Sequence, residues 1–85
     1  MAFHRCAIHD ESGGVLVTDV MVNIEETASA WHATISVSHL APLVAGQLYR
    51  MVLDDGRAGA FRVRRNTFAG GPDRAIACDG VGKLG

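Results

Sequence analysis

Along residues 47–63 apolar and polar positions alternate in two runs separated by a short break. Tyr49, Met51 and Leu53 share one parity and Arg50, Val52 and Asp54 the other; beyond the break Phe61 and Val63 alternate with Arg62 and Arg64. A period of two puts successive side chains on opposite faces of a strand, so each run predicts a half-buried strand. Asp55-Gly56 in the break predicts a tight primed turn, because Gly enters positive φ without a Cβ clash. This hairpin organises the reading of the rest.

Upstream, residues 3–9 predict a first strand, with Cys6 and Ile8 on one face and Arg5 and His9 on the other. The turn formers of 10–14 reverse the chain. Over 15–25 the even positions Leu16, Val20, Val22 and Ile24 form an apolar face interrupted by Thr18; the odd positions include Val17 and Met21, which leaves the second face partly apolar too. Residues 30–38 give the cleanest alternation, with Trp31, Ala33, Ile35 and Val37 against His32, Thr34, Ser36 and Ser38. The pattern fails at 40–46, where an early Pro42 and a final Gly46 predict one short helical turn. Residues 74–79 predict a last strand with Ile76 and Cys78 on one face, and 80–85 a flexible glycine-rich tail.

About six short strands joined mostly by turns predict an all-β fold: a meander-like antiparallel sheet curled into a small barrel or folded into a two-layer sandwich. The expected core is Ile8, Leu16, Val20, Val22, Ile24, Trp31, Ile35, Val37, Tyr49, Met51, Leu53, Phe61, Val63 and Ile76. At 85 residues with 48% hydrophobic content the chain reads as one domain over 1–85, large enough to fold without a metal or disulfide staple. No internal repeat is evident. A formal net charge of −1 gives no global pull toward nucleic acid or acidic membrane. With no apolar run of membrane-spanning length and no signal-peptide core at the start, the expectation is a cytoplasmic protein without membrane contact.

Chemical signals are sparse. Gly80-Val81-Gly82-Lys83-Leu84-Gly85 has the letters of a dinucleotide fingerprint, but the sequence holds no following helix to receive a pyrophosphate, so no nucleotide cofactor is expected. Cys6 and Cys78 each share a face with an isoleucine and read as buried free thiols, with a disulfide as the alternative if the first and last strands pair. Neither they nor His4, His9, His32 and His39 have metal-ligand spacing, so no metal is expected. Ser36, Ser38 and His39 lack a nucleophile elbow or oxyanion loop, and the chain is read as a non-enzyme.

Two surfaces remain. Val17, Met21, Leu43 and Val44 exceed the needs of one small core and either cap the barrel or form an interface; the reading assigns them to an interface with a protein partner or a second copy in a homodimer. The leading expectation is thus a structural or protein-interaction module. The alternative is a single-stranded nucleic-acid-binding barrel using Arg50, Arg62, Arg64 and Arg65, whose charges suit phosphate on a sheet surface.

Overall fold

The computed structural model describes residues 2–37, 43–70 and 73–85. It is a closed antiparallel barrel of β1 (Ala2–His9), β2 (Val15–Glu26), β3 (Trp31–Val37), β4 (Leu48–Leu53), β5 (Ala58–Gly70) and β6 (Asp73–Val81), in the order β1-β2-β3-β6-β5-β4. Two three-stranded meanders join through β1 with β4 and β3 with β6. The meander therefore does not run from end to end, and the first and last strands are not neighbours. Each meander has a long central strand, β2 with 12 residues and β5 with 13, and both are bulged. Closure pairs the strands around the ring and removes the open sheet edges that invite aggregation.

Side chains fill the interior. Ile8, Val22, Ile24, Ile35, Met51, Phe61, Val63, Ile76 and Cys78 are fully buried, and among the described residues no polar or charged residue is buried. Tyr49 and Phe61 stack at a tilt, with ring centroids 5.9 Å apart. All fourteen expected core residues line this core or pack against it, with Leu16, Val20 and Val37 half-buried; Cys6, Ala33, Leu43 and Cys78 join them.

The bulge in β2 changes which residues face in. Cys6 pairs with Val20 and Ile8 with Val17, so Thr18 and Asp19 together oppose Ala7. Asp19 takes φ 55°, a left-handed conformation that a short polar side chain tolerates better than most. The extra residue turns Val17 toward the core, although strict alternation sets it on the outer face.

A different segment closes each end. At one end Leu43 is buried; its carbonyl accepts from Asn66 Nδ2 at 3.0 Å, while Val44 N donates to Tyr49 Oη at 2.9 Å. Residues 44–47 form a turn in which Gln47 N donates to Val44 O and Gly46 has φ 88°. No helix occurs among the described residues, and 38–42, the rest of the expected helical turn and its approach, lie outside them. At the other end the segment expected to be a flexible tail is tied down. Gly80 and Val81 belong to β6, Trp31 Nε1 donates to Gly82 O at 3.2 Å, Gly85 N donates to Ala58 O at 3.0 Å, and Leu84 packs against the core.

The β4–β5 turn is where the sequence puts it but of another type. Gly56 N donates to Leu53 O and Leu53 N to Arg57 O, with positive φ at Gly56 alone. That is a three-residue loop ending in a glycine bulge, the next commonest hairpin after the primed two-residue turn.

Candidate binding surface

The outer faces of β4 and β5 carry four arginines. Arg50 stands opposite Ala60, and Arg62 stands opposite Leu48 on one side and Asp79 on the other. Between the pairs Val63 with Cys78 and Arg65 with Ala77, Arg64 is the bulged residue without an opposite number. The bulge lets Arg64 and Arg65 both be exposed in succession and returns Asn66 to half-buried depth. Simple alternation would have turned Arg65 inward.

Asp79 on β6 organises this flank. It accepts from Arg64 Nε at 3.0 Å and also from Arg64 Nη2, and from His32 Nδ1 at 2.9 Å. The Arg64 guanidinium, then His32, holds its carboxyl down at about 2, and Asp79 in turn raises Arg64. Arg62 Nη1 donates to Gly46 O at 2.8 Å. The ion pairs of arginine among the described residues use Arg5, Arg57 and Arg64; Arg50, Arg62 and Arg65 enter none of them.

Beside this flank lies an open depression of about 310 Å³, lined by Asn23, Glu25, His32, Thr34, Arg64 and Ala77. Thr34 and Ala77, opposed across β3 and β6, are small, and this leaves the space between the longer side chains around them. Asn23 Oδ1 itself is closed to solvent and is the one buried side-chain oxygen or nitrogen among the described residues without a hydrogen-bond partner.

Three other acidic residues, Glu26, Asp54 and Asp55, gather away from the flank. Near the β4–β5 turn His4 Nδ1 lies 3.1 Å from Asp54 Oδ1, and Arg57 bridges Asp55 Oδ2 and Glu26 Oε1, each at 2.9 Å. Hydrogen bonds from His4 lower the Asp54 carboxyl and those from Arg57 lower Asp55. This network joins β1, the β4–β5 turn and the end of β2, which accounts for its residues without any chemistry.

Of the residues assigned to an interface, Val17 packs against the core and Leu43 is within it, while Met21 and Val44 are exposed. Phe3, at 65% the most exposed large apolar residue among the described ones, had no place in that reading. Its β1 position opposite Asn23 is adjacent to the Arg5 and Met21 pair. Cys6 and Cys78 are both buried free thiols, pushed up to about 12 by desolvation. Among the described residues no three potential ligands cluster as a metal site would require. Ser36 is exposed on β3, and Ser38 and His39 lie outside the described residues.

Asn23, Glu25 and the tie between His32 and Asp79 were not foreseen as one site. They meet through the pairing of β2 with β3 and β3 with β6, which no local pattern encodes. No family model, curated protein or solved structure matches the chain.

Proposed function

We propose that the chain is a non-enzymatic binding barrel whose arginine flank takes single-stranded nucleic acid. The observation that carries this reading is the gathering of Arg50, Arg62, Arg64 and Arg65 on the outer faces of β4 and β5, with Asp79 the one carboxylate bonded to any of them among the described residues. Among the described residues the inward side chains are buried apolar ones, and the arginines stand on the outside. Net charge does not oppose it, since Glu26, Asp54 and Asp55 are collected at the barrel end around Arg57 and His4, leaving the flank locally cationic. An extended polyanion fits a curved sheet surface with spaced guanidinium groups. A cytoplasmic location belongs to the same proposal.

Fluorescence anisotropy with a labelled single-stranded oligonucleotide at low salt tests it. Binding that the Arg62→Ala plus Arg65→Ala variant loses supports the flank; absence of binding at low salt rejects it. Neither arginine bears on the core, so the variant is expected to stay folded.

A second reading, self-association, draws on the exposure of Phe3 and Met21 on neighbouring positions of β1 and β2. Light scattering of the parent and of Phe3→Ser plus Met21→Ser decides it: a parent dimer that the variant turns into a folded monomer supports it, and a parent monomer at all concentrations excludes it.

A further inference from the structure

Resting on the nucleic-acid reading, we infer that Phe3 is the base-stacking residue of this surface: a single strand held by the arginine flank crosses β6, β3 and β2 and lays a base on the Phe3 ring. Phe3 is 65% exposed on β1, whereas the other aromatic side chains described, Trp31, Tyr49 and Phe61, are buried. A phenyl ring held in water on a strand gains from any flat apolar partner, and every base has such a face.

One row of opposed residues connects this ring with the flank. Phe3 stands opposite Asn23, Asn23 opposite Thr34, Thr34 opposite Ala77 and Ala77 opposite Arg65. Between its ends the row carries no charge. Asn23, Thr34 and Ala77 also line the depression that reaches Arg64, so the surface is continuous from β5 to the neighbour of Phe3. Four interstrand spacings of about 4.8 Å separate β5 from β1 along it, roughly 19 Å. The roughly 4–16 nucleotides that one small barrel binds can span that distance.

Charge sorts the strand along this path. Glu25, two residues from Asn23 in β2, lines the depression and repels phosphate there, while Arg62 and Arg65 attract it on β5. Arg5, the cation nearest Phe3 on β1, is engaged by Asp19 at 3.3 Å. Phosphates therefore belong on β5 and bases toward β1. A second copy of the chain could also cover Phe3, but it would leave the row that leads from Phe3 to Arg65 without a role.

Anisotropy with labelled oligo-dT of about 12 nucleotides at low salt tests the inference. Phe3→Ala and Phe3→Leu are each expected to bind about tenfold more weakly than the parent, the worth of one stacked base, with the salt dependence unchanged because no charge is removed. Phe3→Trp should bind at least as tightly as the parent, and the strand should quench its added indole emission, Trp31 being buried. Thermal melts establish that the variants are folded. Parental affinity in Phe3→Ala, or in Phe3→Leu, which keeps apolar bulk without a ring, overturns the stacking role and leaves the arginine flank standing. A parent dimer in light scattering that Phe3→Ala turns into a monomer gives the ring to a second copy and overturns it too. No binding of the strand by the parent overturns both the stacking role and the nucleic-acid reading.

Discussion

The Trp31 indole occupies the space where a side chain at Gly80 would be: a Cβ built on Gly80 overlaps the indole ring. Gly80 lies opposite Phe61 in the β5–β6 ladder, and Gly59 nearby is tight in the same way, with a Cβ position 3.1 Å from Trp31 and 3.0 Å from Leu84. Gly80, the first glycine of the nucleotide-like motif, thus serves packing together with Gly59, letting the tryptophan cross the backbone of β5 and β6 and close the barrel end with Leu84.

Gly80→Ala should therefore destabilise the fold by about 2–3 kcal/mol through overpacking. Gly82→Ala, with φ 77° but open space around it, should cost about 1–2 kcal/mol from backbone strain alone. Urea unfolding followed by tryptophan fluorescence separates the two, since only the first also shifts the native emission of Trp31.

Leu43 and Val44 are neighbours with opposite fates, one plugging the barrel and one facing solvent. Leu43→Ala should cost about 2–4 kcal/mol, as for a buried leucine, and Val44→Ser less than about 0.5 kcal/mol. The same contrast should hold between Val17→Ser and Met21→Ser, with the half-buried Val17 the more costly. Equal losses within either pair would contradict the placement of these residues.

How far these features were legible depends on whether a residue's environment is set locally. In β3 both ladders run without interruption, so the alternation of Trp31, Ala33 and Ile35 survives intact into the structure. In β2 and β5 the ladders shift register, each at two places, and Val17 and Arg65 change face at one of them. Nothing in the side chains of Asp19 or Arg64 announces a bulge. The reversal at Gly56 was legible because glycine marks positive φ, but whether Asp55 shares that conformation depends on strand register. Strand order is less local still: β3 meets β6 and β1 meets β4 across most of the chain, so the site between Asn23 and Arg64 follows from topology that alternation does not encode.

The Asp79 contacts give stability a defined pH window. Its carboxyl titrates at about 2 in the fold, against an ordinary 3.8. A lowered carboxyl stabilises the fold above about pH 4, and the contribution is lost as pH falls toward 2. Because the pair is exposed, the effect should be no more than about 1 kcal/mol. Asp79→Asn should lower the urea midpoint at pH 7 and match the parent at pH 2; an equal gap at both pH values would count against it.

Cys6 and Cys78 show the opposite sign. Burial raises both thiols from 9.0 to about 12, so the folded state resists ionisation and stability should fall as pH rises above about 9. A thiol reagent at pH 8 should find no reactive cysteine in the native chain and both after unfolding in urea. Rapid labelling of the native chain would contradict their burial.

The central claim is that the arginine flank takes single-stranded nucleic acid, and the salt dependence of affinity tests it most directly. The logarithm of the binding constant for a labelled oligonucleotide is measured against the logarithm of salt concentration, for the parent and for Arg50→Ala, Arg62→Ala and Arg65→Ala together. Each arginine that neutralises a phosphate contributes about 0.7 to the slope on a single strand, so the variant's slope should be shallower by about 2. A parent that does not bind at low salt, or a slope unchanged in the variant, would contradict the account.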